Sequence, residues 1–131
     1  MKSLIAEDDY ISGLLLNKLL QKWGSTHLTR NGKQVVEAAR DALEAGEPYD
    51  LVCLDIMMPD KDGQQALKEI RALETAKGIE RLNQVKIVMT SALDDQDTLL
   101  EAIRGQCDHF ISKPIRKEKL EEVLRKLALI T

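Results

Sequence analysis

Short apolar runs alternate along the chain with longer segments in which apolar residues recur at helical spacing. The runs lie at about residues 2–6, 26–29, 51–54, 85–90 and 109–112, and the second of them is the weakest. Runs that are apolar almost throughout are typical of strands buried on both faces, as the strands of parallel sheets are. The pattern therefore predicts five parallel β-strands.

The segments between and after these runs predict five amphipathic helices. The first, from about Tyr10 to Trp23, has apolar positions at i, i+3, i+4, i+8 and i+9, namely Ile11, Leu14, Leu15, Leu19 and Leu20. The fourth opens with an acidic turn (Asp94, Asp95, Asp97) that suits the positive end of the helix dipole, and Gly105 would cap its end. The alternation predicts an α/β fold, a (βα)5 doubly wound five-stranded parallel sheet with helices on both faces.

Length and composition are those of a single globular domain. The chain has 131 residues, of which 44% are hydrophobic and 31% charged, and its net charge is −3. We expect one domain over residues 1–131 with no effector domain, and no nucleic-acid partner because no basic face stands out. Neither a signal peptide nor an apolar run of membrane-spanning length occurs, so we expect a cytoplasmic protein without membrane contact. Cys53 and Cys107 lack the spacing of a zinc site or a disulfide framework.

Chemically active side chains stand where the predicted strands end. Glu7 and Asp8 follow the first run, Asp55 follows the third, Ser91 the fourth, and Lys113 the fifth. The carboxyl ends of the strands are where open parallel sheets place their ligand sites. An acid pair, an acid, a hydroxyl and a lysine in this order predict a magnesium-dependent phosphoryl-acceptor site.

Each of these residue types has a physical role in such a site. Asp55 is the expected nucleophile, which would form an aspartyl phosphate. Neighbouring carboxylates repel one another, and a hard divalent cation such as Mg²⁺ relieves this repulsion, with Asp8 and Asp55 as direct ligands. Lys113 offers a compact positive charge, and Ser91 a hydroxyl donor, to the phosphoryl oxygens.

The same marks give the chain a family resemblance over its whole length. The marks are Glu7-Asp8, Asp55 with Met58-Pro59 and Asp62-Gly63, Ser91-Ala92, and Lys113-Pro114. The chain resembles a stand-alone, chemotaxis-type response-regulator receiver domain of two-component signalling. The resemblance implies the flavodoxin-like strand order 2-1-3-4-5. It also implies a histidine kinase or a phosphotransfer protein as phosphoryl donor.

Further roles are implied by the resemblance alone. The Met57 carbonyl would be a third metal ligand, Glu7 would act through water, and Phe110 would be the aromatic that repacks when the switch hydroxyl moves. A downstream protein would bind the face of helix 4, strand 5 and helix 5, and the chain would be a monomer or a phosphorylation-dependent dimer. By the same resemblance, Met57 and Leu93 would border the path of the hydrolytic water, and both are apolar. They therefore predict slow self-dephosphorylation.

Several assignments stay open at this point. Asp9 is suited to capping the first helix, but an Asp8-Asp9 metal pair competes with Glu7-Asp8. Thr90 competes with Ser91 as the switch hydroxyl, and Phe110 would look the same as a plain core aromatic. The Lys113–Pro114 bond is either cis or trans.

Two other functions compete with the signalling switch. A phosphatase or phosphotransferase of the haloacid dehalogenase type also uses an Asp nucleophile, but it needs a second Asp two residues later, where this chain has Met57. An unphosphorylated docking pseudo-receiver would not need the complete set of acids, hydroxyl and lysine. We therefore expect a phosphoacceptor switch that catalyses only its own phosphorylation and dephosphorylation, and is not an enzyme otherwise.

Overall fold

Five parallel strands form one sheet in the computed structural model, which describes residues 1–58, 60–91 and 106–131. The strands are Ser3–Ala6 (β1), Thr26–Thr29 (β2), Leu51–Asp55 (β3), Lys86–Ser91 (β4) and His109–Ser112 (β5). They pair in the order β2-β1-β3-β4-β5. The predicted parallel sheet and its strand order are confirmed.

Helices cover both faces of this sheet. Those within the described residues are Tyr10–Leu20 (α1), Gly32–Glu44 (α2), Gly63–Ala76 (α3) and Lys117–Lys126 (α4), the last being the fifth helix predicted from the sequence. A short 3₁₀ turn follows α1 at Gln21–Trp23, and another follows α3 at Arg81–Asn83. The predicted fourth helix, with Asp94, Asp95, Asp97 and Gly105, lies outside the described residues. No helix in the described ranges is both long enough and apolar enough to span a membrane.

The core has two layers, because successive side chains of a strand point to opposite faces. One layer joins Leu4, Val52 and Leu54 of the strands to α2 and α3. The other joins Ile5 and Cys53 to α1 and α4. Residues of β1, β3 and most of β4 are buried on both faces, as their continuous apolar runs indicate, whereas the edge strands β2 and β5 are partly exposed.

The apolar face of α1 agrees with the prediction at Leu19 and Leu20 but differs from it at the start of the helix. Ile11 is 75% exposed and Leu14 and Leu15 are also exposed, whereas Gly13, Leu16 and Leu20 are buried. The helix is apolar on most of its circumference, so periodicity alone does not select the side that meets the sheet. The exposed side chains Tyr10, Ile11, Leu14 and Leu15 form what we call the α1 patch.

Side chains at the carboxyl edge of the sheet fix the starts of three helices. Asp9 caps α1 by accepting a hydrogen bond from the Ser12 N–H at 2.9 Å. Asn31 caps α2 and Asp62 caps α3 in the same way. The predicted capping role of Asp9 is confirmed. Arg116, the N-cap residue of α4, makes no side-chain capping hydrogen bond.

A buried ionic cluster lies at the opposite edge of the sheet. The Arg71 guanidinium pairs with Glu74 at 2.8 Å and with Asp108 at 2.9 Å, and it also donates to the carbonyls of Val85 and Gln106. The Arg71 side chain is 3% exposed. The cluster joins α3 to the start of β4 and to the residues that lead into β5.

Candidate functional site

Three carboxylates meet at the carboxyl edge of the sheet. Glu7 follows β1, Asp8 follows Glu7, and Asp55 is the last residue of β3. Each offers one oxygen, and these oxygens lie within 4.8 Å of one another. Glu7 and Asp55 are 2% and 4% exposed, while Asp8 faces solvent. The cluster therefore has two buried acids and one that is open to water.

Lys113 connects two of these acids. Its Nζ donates to both Glu7 carboxylate oxygens at 2.8 Å and to Asp55 Oδ2 at 3.2 Å. The backbone holds the lysine in place, because the Lys113 N–H donates to the Ser91 carbonyl at 2.7 Å. The Lys113–Pro114 peptide bond is cis.

The loop after β3 contacts the Asp55 carboxylate through one backbone amide. The Met57 N–H donates to Asp55 Oδ1 at 3.3 Å, and the Gly63 N–H closes the loop on the Ile56 carbonyl at 2.9 Å. A Cβ on Gly63 would overlap the Asp55 carbonyl oxygen, so α3 approaches β3 this closely only with glycine there. Asp60 has a left-handed backbone with φ of 68°.

The hydroxyl and aromatic candidates lie on β4 and β5. Thr90 and Ser91 are both buried, and Thr90 is the parallel-register partner of Asp55, with Ser91 one residue nearer the edge. Phe110 on β5 is half-buried and packs against the core layer formed with α2 and α3. The switch roles of Ser91 and Phe110 remain predictions.

The geometry favours Glu7-Asp8 over Asp8-Asp9 as the candidate metal pair. Glu7, Asp8 and Asp55 form the cluster found among the described residues. The Asp9 carboxylate instead accepts hydrogen bonds from Ser12, which lower its pKa. The Met57 side chain is 62% exposed, and Leu93, predicted beside it on the water path, lies outside the described residues.

Burial and crowding set the protonation of the Glu7–Lys113 pair. Burial raises the pKa of Glu7 to about 7, since the neighbouring Asp55 adds to that effect and the Lys113 hydrogen bond only partly offsets it. Burial by itself lowers the pKa of Lys113, but its hydrogen bond to Glu7 and the charge of Asp55 outweigh burial and raise that pKa. Lys113 is therefore a permanent cation, whereas Glu7 titrates near neutral pH.

The metal-free protein is expected to lose stability as pH rises from 4.5 toward about 7. The folded-state pKa of Glu7 lies above its ordinary value, so its stabilising contribution is complete below 4.5 and is lost as pH passes about 7. The loss is on the order of 2 kcal/mol. It can be measured by urea unfolding in chelator over this pH range, with Glu7→Gln as the matched variant. If the free energy of unfolding depends on pH in the same way in wild type and in Glu7→Gln, Glu7 is not the group that titrates.

Comparison with known proteins identifies the family. The response regulator receiver domain family matches residues 3–125, and the chain belongs to it. The chemotaxis protein CheY of Bacillus subtilis is 36% identical over 76% of this chain and 80% of its own length. The hybrid signal transduction histidine kinase L of Dictyostelium discoideum is 33% identical over 95% of this chain, which spans only 7% of that kinase.

A solved structure gives the same identification. The receiver domain of the histidine kinase CKI1 from Arabidopsis thaliana, complexed with Mg²⁺ and BeF₃⁻, is 25% identical. It superposes with a TM-score of 0.83 over 98% of this chain and 90% of its own. Receiver domains are phosphoryl-accepting signalling switches, and the membership of this family predicted from the strand-end residues is confirmed.

Proposed function

We propose that Asp55 accepts a phosphoryl group from a histidine kinase or a phosphotransfer protein with the help of Mg²⁺, and that the modified chain changes its binding to a partner. The observation that carries this proposal is the contact of Lys113 with both Asp55 and Glu7 at the edge where the three carboxylates meet. Phosphoryl transfer depends mainly on placement and on neutralising charge, and this arrangement supplies both.

The acidic cluster fits a hard divalent cation. Three carboxylates that each offer an oxygen within 4.8 Å of the others supply the ligand type that Mg²⁺ prefers. Asp8, Asp55 and the Met57 carbonyl would hold the ion, and Glu7 would act through water. When bound, the ion neutralises charge on the carboxylates and on the incoming phosphoryl oxygens.

Three side chains have proposed roles in the transfer itself. An Asp55 carboxylate oxygen attacks phosphorus while the bond from phosphorus to the donor histidine nitrogen breaks, which leaves an aspartyl phosphate. The Lys113 ammonium, already 3.2 Å from Asp55 Oδ2, balances the charge that arrives. The Ser91 hydroxyl is the proposed donor to a phosphoryl oxygen, at the end of the strand next to β3.

The competing enzyme function lacks an essential group. A haloacid dehalogenase-type reaction needs a proton donor two residues after the nucleophile, and the Met57 thioether has no proton to give. The same apolar side chain offers no hydrogen bond to orient a hydrolytic water. This supports the proposal of a slowly decaying phosphoprotein that does not turn over small substrates.

Acetyl phosphate with Mg²⁺ is the direct test. Intact-mass spectrometry should show the gain of one phosphoryl group, and treatment with hydroxylamine should remove it, as expected for an acyl phosphate. Chelation of the metal should suppress labelling. Labelling that proceeds equally in chelator would contradict the metal-dependent mechanism.

The α1 patch supports a docking surface for the protein donor. Leu15 of the patch also lines a cavity of about 60 Å³ together with Glu7, Lys113 and Pro114, so the exposed apolar surface continues to the acidic cluster. A donor histidine that reaches Asp55 must cover the surface around the cluster. Apolar side chains at the centre of such an interface contribute much of its affinity.

Ile11→Ser is expected to slow phosphoryl transfer from a phosphorylated phosphotransfer domain by about 10-fold, because it removes apolar contact from that interface. Labelling by acetyl phosphate should not change, because a small donor does not use the patch. Leu82→Ser is the matched control, since Leu82 is exposed on a 3₁₀ turn far along the chain from α1. Equal transfer rates for the two variants would contradict docking at α1.

The output surface is proposed on β5 and α4, together with the predicted helix that contains Leu99 and Ile103 and lies outside the described residues. His109 on β5 and Lys117 at the start of α4 belong to this face. Phosphorylation would shift the population between two packings of Ser91 and Phe110 and so change the binding of a downstream protein there.

A further inference from the structure

The loop that begins at Ile56 and ends at Asp62 contacts the Asp55 carboxylate. Its Met57 N–H donates to Asp55 Oδ1 at 3.3 Å, and Asp62 at its far end caps α3. The loop is short, so a displacement at one end moves the groups at the other. Its position is therefore part of the geometry of the acceptor.

A contact from outside the loop limits where it can lie. Gly32, the first residue of α2, is buried against the loop, and a Cβ there would overlap the Lys61 carbonyl oxygen. The same Cβ would lie 2.7 Å from the Lys61 Cβ and 2.8 Å from its carbonyl carbon. These atoms belong to the backbone or are bonded to it. They cannot rotate away as the end of a long side chain can.

The start of α2 is itself held firmly. The Asn31 side chain accepts a hydrogen bond from the Gln34 N–H at 2.8 Å, and the Gln34 side chain accepts one from the Arg30 N–H at 2.8 Å. Val35 and Ala39 on the same helix are buried in the core. A Cβ at Gly32 would therefore press on the Lys61 backbone, because the helix that bears it is fixed by its cap and by its buried side chains.

We propose that Gly32 is a positioning residue for phosphoryl transfer. The missing Cβ lets the Lys61 backbone lie against α2, and this contact sets the distance of the Met57 amide and carbonyl from Asp55. The inference rests on the proposed function, since those two groups matter only if Asp55 is the acceptor beside a metal ion. It assigns a role to a residue on α2, a helix that contributes none of the predicted ligands.

Gly32→Ala is expected to weaken Mg²⁺ binding, measured by titration calorimetry, by about 10- to 100-fold, as loss of a supporting contact around a metal ligand does. The initial rate of labelling by acetyl phosphate should fall by a similar factor, because small displacements of reacting groups slow transfer strongly. The amide resonances of Met57 and Lys61 should also shift in the metal-free protein. These resonances report loop position without requiring any phosphoryl transfer.

Two controls separate positioning from general weakening of the fold. Ala39→Gly lowers the stability of the same helix without touching the loop, so it should lower the unfolding midpoint and leave Mg²⁺ affinity unchanged. Lys61→Ala keeps every Lys61 atom that faces Gly32 and removes only the rest of the side chain, which pairs with Glu69. It should behave as wild type in Mg²⁺ binding.

The outcomes distinguish this inference from the proposed function. If wild type neither binds Mg²⁺ nor becomes labelled, the proposed function fails, while the loop resonances of Gly32→Ala still test the contact. If Gly32→Ala leaves Met57 and Lys61 resonances and Mg²⁺ affinity unchanged, the positioning role of Gly32 is wrong. Equal Mg²⁺ affinities for Gly32→Ala and Ala39→Gly would also overturn it.

Discussion

Replacing Asp55 by Asn is expected to abolish phosphoryl labelling by acetyl phosphate and by a protein donor. The amide lacks the anionic oxygen that attacks phosphorus, so labelling should fall by a factor of about 10⁴ or more, to the limit of detection. Intact-mass spectrometry at equal reaction times gives the measurement. Folding should be retained, because the change removes one of the carboxylates crowded near Glu7 and Lys113.

Asp60→Asn is the matched control for this experiment. Asp60 lies in the same loop, is exposed, and has a left-handed backbone that Asn also tolerates, so the same chemical change is made without altering the loop. Its labelling should equal that of wild type. Asp8→Asn should retain Asp55 but require more Mg²⁺. Labelling of Asp55→Asn, or its loss in Asp60→Asn, would show that the acceptor has been assigned to the wrong residue.

Arg71→Met is expected to lower the free energy of unfolding by about 3–5 kcal/mol. The change keeps much of the aliphatic stem but leaves the buried carboxylates of Glu74 and Asp108 without their cation. It also removes the donors to the carbonyls of Val85 and Gln106. Urea unfolding at neutral pH measures this difference directly when the free energy of unfolding falls with urea concentration at the same slope in both proteins.

Arg81→Met provides the comparison within the same cluster. Arg81 also pairs with Asp108, at 3.1 Å, but its side chain is 50% exposed. Solvent screens such a pair, so its loss should cost only about 0–1 kcal/mol. If the two arginine variants lower the free energy of unfolding equally, burial does not determine how much an ion pair of this cluster stabilises the fold. A double variant, Arg71→Met with Glu74→Gln, should lose less than the sum of the two single changes.

The strands and the acidic cluster were the parts of this molecule most directly predictable from sequence. Buried parallel strands need apolar residues on both faces, so runs such as Leu51–Leu54 stand out from their surroundings. The carboxyl ends of parallel strands share one edge, and this places Glu7 near Asp55 although 47 residues lie between them in the chain. Both predictions follow from local sequence together with one rule of sheet geometry.

The face of α1 and the burial of Arg71 were not predictable in this way. Leu14, Leu15 and Leu16 are adjacent and equally apolar, so only contact with the sheet decides that Leu16 is buried. Arg71 and Glu74 look like ordinary solvated helix charges, because Asp108, which pairs with Arg71, is distant in sequence. Charge patterning along one helix contains no information about a partner on another element.

By itself, the sequence determined the order of the strands along the chain, the helix cap at Asp9, and the edge at which the acids gather. These depend on hydrophobic period, on capping chemistry and on the direction of parallel strands, all of which are local. Only the tertiary structure decided that Lys113 contacts Glu7 as well as Asp55, that burial raises the pKa of Glu7, and that Gly32 meets the Lys61 backbone. Each of these depends on distances between elements far apart in the chain, which packing sets and residue spacing does not.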